Sequence, residues 1–219
     1  MSATSLVSLG AGFSNEAFGS QAAFRAVLQA LSHPGRGVAV EHDAQTPAVG
    51  HAASAVVLLA LLDSDCTLWI SPRLAASDTG AWLRFHTGCT LVSDPAKARF
   101  VWVAQGDALP ALHSLAQGSD TYPDQSATCV VDVAQAYVAA PTAADAWRLA
   151  GPGIQGVSAL QVEGLSNDFE AQWAANHVVF PRGVDVLLGT AGHIVGLPRT
   201  TQATRAPARV AAANHPQEA

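Results

Sequence analysis

Apolar residues recur at helical spacing between Asn15 and Leu31. Phe24, Val27, Leu28 and Leu31 share one face, and Gln21, Arg25 and Gln29 the other. The pattern predicts an amphipathic helix capped by Ser14, with Glu16 in its first turn. Pro34 and Gly35 end it, and GVAVE, residues 37–41, reads as a short strand. A second helix, over 48–62, is apolar nearly all round and belongs in the interior. Asp63, Ser64 and Asp65 then turn the chain into a strand over Thr67–Ser71. Asp78 caps a third helix that carries Trp82, Leu83, Phe85 and His86 and stops at Gly88. Strand-like runs follow at 90–92, 99–104, 127–133 and 147–150, the last leading into a Gly-Pro-Gly turn. A fourth helix covers 168–177, and VDVLLGT and HIVGL close the pattern as a hairpin around Ala191 and Gly192.

Helices thus alternate with strands, and an antiparallel pair ends the series. The fold class expected is α/β, a three-layer α/β/α arrangement on a mixed sheet. One domain is expected over residues 1–202. Residues 203–219 lack both a period and large apolar side chains and read as a disordered tail.

Composition narrows the function classes. The chain has 219 residues, 49% of them hydrophobic and only 13% charged, with a mean hydropathy of +0.22. That excludes a disordered chain and implies a lightly charged surface that tolerates being covered by a partner. A net charge of −6 argues against binding to nucleic acid or to anionic membranes. Three widely spaced cysteines, Cys66, Cys89 and Cys129, form no CxxC pair and suit buried thiols in a reducing compartment. No Lys or Arg precedes Arg25, and the longest apolar run, 52–62, falls short of the ~20 residues of a membrane span. A cytoplasmic protein is expected.

Candidate chemistry is sparse. Gly151-Pro152-Gly153-Ile154-Gln155-Gly156 spells G-x-G-x-x-G, yet Pro152 and the non-helical stretch after it favour a structural turn over a dinucleotide site. The eight histidines form no HxH, HxxxH or HExxH pair, and no G-x-S-x-G elbow is present. The single lysine, Lys97, lies in the polar turn SDPAKARF, which argues against pyridoxal phosphate; no cofactor or metal is expected.

Three arginine-bearing segments stand out. Arg84 and His86 share the end of a helix, where positive charge also suits the helix dipole. Arg182 and Asp185 stand close enough in sequence for a local ion pair. Arg199, with the hydroxyls of Thr200 and Thr201, could hold a phosphate or phosphonate, bind a partner's carboxylate or cap a helix.

These segments together resemble one family, the PhnH subunits of the bacterial carbon–phosphorus lyase system. The resemblance rests on SQAAFR (20–25), ALSHPG (30–35), LLD (61–63) with LW (68–69), LRFHT (83–87), GPGI (151–154), FPRGVD (180–185) and LPRTT (197–201). It spans roughly residues 13–201 and leaves the tail unaccounted for. It implies the fold of pyridoxal-phosphate-dependent transferases without the cofactor lysine. It also implies a homodimer inside a cytoplasmic core assembly with the G, I and J subunits. That assembly joins a phosphonate to the ribose of ATP, giving a ribose 1-phosphonate 5-triphosphate, before another subunit cleaves the carbon–phosphorus bond. The cysteine spacing of a radical iron–sulfur centre is missing here, so this chain is not expected to be the cleaving subunit.

Three functions follow as expectations. The first is an assembly subunit with no catalysis of its own, working within the multisubunit synthase. The second is direct participation, with Arg84, His86, Arg182 and Arg199 on phosphonate or triphosphate oxygens and Asp185 and Thr200 beside them. The third and weakest is a stand-alone enzyme, which needs a deep pocket with converging titratable groups.

Overall fold

The computed structural model describes residues 9–205 apart from Pro141 and Ala144. The central sheet has seven strands. They are β1 (Gly37–Ala39), β2 (Thr67–Ile70), β3 (Thr90–Leu91), β4 (Phe100–Val103), β5 (Thr128–Asp132), β9 (Asp185–Gly189) and β10 (His193–Leu197). Their spatial order is β1-β10-β9-β5-β4-β2-β3. The run from β9 to β3 is parallel, whereas β10 and then β1 attach antiparallel, which makes the sheet mixed.

The runs FVWV, TCVVD and DVLLG are nearly continuous in apolar character because both faces of these strands are covered. Alternation divides them. Trp102, Val130, Leu187 and Ile194 face a helical layer of α1 (Glu16–Ser32), α2 (Ala52–Leu61) and α4 (Thr79–Thr87). Their neighbours Val101, Val103, Cys129, Val131, Val186 and Leu188 face the other way. There they meet α5 (Phe169–Val178) and a second, antiparallel sheet of β6 (Gln135–Val138), β7 (Trp147–Ala150), β8 (Ser158–Glu163) and β11 (Gln202–Arg205), ordered β11-β7-β8-β6. The expectation of helices on both outer layers therefore holds on one side. The other layer is mostly strand, because β7 and β8 supply the large apolar residues Trp147, Leu149 and Leu160 that cover the sheet with Phe169 and Trp173.

Other differences have local causes. Asn15, not Ser14, caps α1: its Oδ1 accepts the Phe18 N–H at 3.2 Å, while the Ser14 hydroxyl is drawn to Asp43. The buried side of α1 is Ala23, Ala26, Val27 and Ala30, which leaves Phe24 and Leu28 outside. Small residues win the inner face because α1 lies directly on β10: a Cβ at Gly196 would stand 2.4 Å from the Ala30 carbonyl oxygen. Asp78 occupies the position before α4 but makes no capping bond; Ser77 Oγ accepts the Thr79 N–H at 3.2 Å instead. α2 begins at Ala52 rather than at 48, after a loop in which Gly50 has φ +91°. A one-turn helix, α3 (Pro72–Ala75), follows β2 and carries Arg73.

Gly151, Gly153 and Gly156, all at positive φ, turn β7 into its antiparallel neighbour β8 and open no helix. A Cβ at Gly153 would lie 2.2 Å from the Ser32 carbonyl oxygen, so the loop abuts the end of α1 and is the structural turn expected. The ordered chain also runs past residue 202. β11 pairs with β7 from Gln202 to Arg205, and the Arg205 guanidinium stacks 5.6 Å from the Trp147 ring. Residues 203–205 are therefore strand rather than tail, and 206–219 lie outside the described residues. Among the described residues, no helix is long and apolar enough to cross a membrane.

Candidate functional site

The residues singled out from sequence do not gather in one place. Arg199 lies after β10 with its side chain only 12% exposed. Nε donates to Asp185 Oδ1 at 3.1 Å and Nη2 to Asp185 Oδ2. Nη1 donates to the carbonyls of Pro123 and Pro181, and Nη2 also to Ser126 Oγ at 2.6 Å. All five guanidinium donors are used inside the protein. Asp185 is thereby occupied, and it also accepts the Arg199 backbone N–H at 2.8 Å. The local pair expected between Arg182 and Asp185 does not form. Arg182 instead reaches Asp120 at 3.2 Å in an exposed contact. Thr200 is half-buried, and its carbonyl oxygen lies against Gly151.

Arg84 and His86 serve different surroundings although two residues apart on α4. His86 Nε2 donates to the Gly10 carbonyl at 2.9 Å, and Trp82 Nε1 donates to the same oxygen at 2.8 Å. The two rings pin residues 9–12 to α4. Arg84 makes no ion pair with any described residue and borders a cavity of about 630 Å³ walled by Trp69, Ile70, Leu91 and Val92. Lys97 stands exposed in a single turn before the amino end of β4.

A different constellation occupies the opposite edge of the sheet. The chain leaving β2 crosses outward to β3, whereas the chain leaving β4 goes the other way to β5. Such a switch point leaves a crevice beyond the carboxyl ends of the parallel strands. A cavity of about 470 Å³ lies there, walled by Arg73 after β2, Ala104–Gly106 after β4, Asp132 at the end of β5, and residues 48–51 before α2.

Asp132 is 2% exposed. Its Oδ1 accepts Ser54 Oγ–H at 2.6 Å and the Trp102 indole N–H at 3.1 Å; its Oδ2 accepts the His51 backbone N–H at 2.9 Å. The carboxylate thus also faces the positive amino end of α2. Burial nevertheless pushes its pKa above the usual carboxylate value; the three hydrogen bonds and the nearby His51 pull the other way with less effect. His51 Nε2–H donates to the Val133 carbonyl at 3.1 Å, so in the neutral ring Nδ1 is left as an acceptor. Arg73 is held by Asp107, through Nε at 3.1 Å and its backbone N–H at 2.9 Å. Gly106, at φ +85°, lets the guanidinium lie across the loop.

Sequence reasoning passed over this cluster, yet it left a trace. Asp132 is a lone carboxylate within an apolar strand, and Ser54 a lone hydroxyl within an apolar helix. Polar groups buried in such segments must find each other. The three cysteines are free, and burial pushes the Cys129 thiol up to about 12. Among the described residues, no three His, Cys, Asp or Glu side chains are placed to share a metal ion.

A sheet covered on both faces, with a crevice beyond the carboxyl ends of its parallel strands, defines an α/β protein of the open-sheet class. Its family follows from similarity. Residues 11–204 match the model of the bacterial phosphonate metabolism protein PhnH. The chain is 35% identical over 205 residues, 94% of it and all of the relative, to the alpha-D-ribose 1-methylphosphonate 5-triphosphate synthase subunit PhnH of Rhizobium meliloti. It is 36% identical over 181 residues, 83% of it and 84% of the relative, to the putative C-P lyase subunit protein HtxG of Stutzerimonas stutzeri. The chain belongs to the PhnH family of phosphonate metabolism proteins.

Proposed function

We propose that this chain is an assembly subunit of a carbon–phosphorus lyase core complex. In this role it supports formation of a ribose 1-phosphonate 5-triphosphate without carrying the reaction alone. It works in the cytoplasm as a homodimer with the G, I and J subunits, on a transferase-type fold that has no pyridoxal phosphate. The observation that carries this reading is the outer face of α1, where Phe18, Phe24 and Leu28 are 72%, 46% and 51% exposed. Phe24 and Leu28 are one turn apart and present a joint apolar surface, of the kind that marks an interface. The internal use of every Arg199 donor supports the same reading, because the motif LPRTT then serves the fold.

Direct contact with phosphonate or triphosphate retains support at Arg84, whose guanidinium borders a cavity and has no ion pair among the described residues. The test is co-expression with the G, I and J subunits followed by size-exclusion chromatography. A Phe24→Glu/Leu28→Glu double variant is expected to keep its circular dichroism spectrum and lose the complex. Wild-type assembly by that variant would overturn the placing of the interface on α1.

A further inference from the structure

We infer that the crevice around Asp132 is a binding site for a small aminated oxyacid, a molecule with an amine at one end and an oxyanion at the other. The charges in and around it do not balance. Asp132 and Asp107 bring two carboxylates and Arg73 one guanidinium, so the walls favour a ligand that carries positive charge. An oxyanion alone would meet a net negative site.

The positions of the unused groups say where each end goes. A carboxylate offers about four lone-pair sites. Two protein donors fill Oδ1 of Asp132, but Oδ2 receives only the His51 N–H. His51 Nδ1 has no partner among the described residues, since the ring is oriented through Nε2. Both residues line the crevice, and acceptors of this kind suit an ammonium or amine N–H. Across the crevice, Arg73 uses Nε on Asp107 and Nη1 on the Gln105 carbonyl, leaving Nη2 without a partner among the described residues. Its side chain is 64% exposed and can turn that edge toward an oxyanion. At Gly50, φ +91°, a Cβ would strike the buried Trp102 ring at 2.4 Å, so this wall of the crevice packs directly on the indole that holds Asp132.

Which oxyanion is bound, phosphonate or carboxylate, rests on the proposed role in phosphonate metabolism; the amine end rests on the crevice alone. The test is isothermal titration of the full chain with 2-aminoethylphosphonate, ethylphosphonate, ethylamine and β-alanine. 2-Aminoethylphosphonate is expected to bind, and ethylphosphonate, lacking the amine, roughly 10- to 100-fold more weakly. Arg73→Ala is expected to weaken 2-aminoethylphosphonate by a similar factor while leaving ethylamine unchanged. Asp132→Asn is expected to abolish the preference for the amine. If that variant fails to fold, Arg73→Ala and His51→Gln carry the test. β-Alanine binding as tightly as 2-aminoethylphosphonate would keep the site but overturn its link to phosphonates. No binding by any probe, equal binding of the two phosphonates, or insensitivity to Arg73→Ala would overturn the inference. Assembly with the partner subunits, measured on the wild-type chain, separates the two claims: intact assembly without binding of 2-aminoethylphosphonate sinks this inference and spares the proposed function.

Discussion

Asp185 and Asp132 sit at opposite edges of one sheet. Asp185 opens β9 and Asp132 ends β5, and the two strands pair in parallel from Thr128–Asp185 to Asp132–Gly189. Both carboxylates are largely removed from water, yet they are treated differently. At the amino edge, Asp185 meets a full charge of opposite sign, and the Arg199 fork closes on it with every remaining donor turned to protein oxygens. At the carboxyl edge, Asp132 is met by a hydroxyl, an indole and a backbone amide, all neutral, beside an open crevice. The first arrangement leaves nothing to offer a ligand and fastens the loops at 123–126 and 181 to the end of β10. The second leaves the carboxylate without a counter-charge. A buried charge thus points to binding when its partners are neutral and a cavity adjoins it, and to architecture when an opposite charge saturates it.

The largest expected effect tests the closed side. Arg199→Ala removes five hydrogen bonds and leaves Asp185 without its counter-charge, at a cost of about 3–5 kcal/mol. Urea denaturation followed by circular dichroism measures it. In a chain of this size each kcal/mol lowers Tm by about 2–4 °C. Arg199→Lys is expected to recover little, because a point-like ammonium cannot span Asp185, Ser126 and two carbonyls at once. A loss below about 1 kcal/mol in the alanine variant would mean that the saturated fork is not what holds this edge together.

The contrast also explains what the sequence made legible. The inner strands were plain because burial on both faces turned FVWV and TCVVD into continuous apolar runs. The existence of α1 was plain, but its orientation was not: large apolar residues suggest the inward face until the close approach at Gly196 requires Ala23, Ala26 and Ala30 there. β6 and β11 are edge strands with mostly exposed side chains, so neither shows an apolar signature. Arg199 was visible as a residue that needs an anion. Its partner was not, because proximity in sequence suggested Arg182 for Asp185, whereas the hairpin returns Arg199 to it from fourteen residues away. Asp132 was hidden for the same reason: its partners Ser54 and His51 lie about eighty positions earlier.

A smaller effect is expected where the open side is built. A Cβ at Gly189 would fall 1.9 Å from Ser54 Oγ and 3.3 Å from Asp132 Oδ1, so this glycine is what lets the serine reach the carboxylate. Gly189→Ala is expected to cost about 1–3 kcal/mol through overcrowding. The double variant Gly189→Ala/Ser54→Ala is expected to recover part of that loss, because the colliding hydroxyl is gone. Urea denaturation of both variants checks this, and equal destabilisation would show that the strain lies elsewhere.

The smallest effect is expected at Asp132 itself, and its pH dependence is more telling than its size. Asn in its place keeps an acceptor for Ser54 and Trp102 but turns an amide donor toward the His51 N–H, while the cost of burying a charge disappears. The opposed changes leave a net loss of about 1 kcal/mol at neutral pH. Because burial raises the Asp132 pKa, the folded protein holds this proton at pH values where the unfolded chain has released it. The contribution of this group is therefore fully present below the ordinary carboxylate range and is lost as pH rises through the folded pKa. Asp43, Asp63 and Asp168, whose hydrogen bonds lower their pKa values, contribute in the opposite direction, so the total profile hides the effect. Subtracting the Asp132→Asn stability curve from the wild-type curve isolates it. The difference should favour wild type increasingly as pH falls from neutrality toward 4. A flat difference would mean that the three neutral donors, rather than burial, set the charge of Asp132. The carboxylate would then be a cap for α2, as closed in its own way as Asp185.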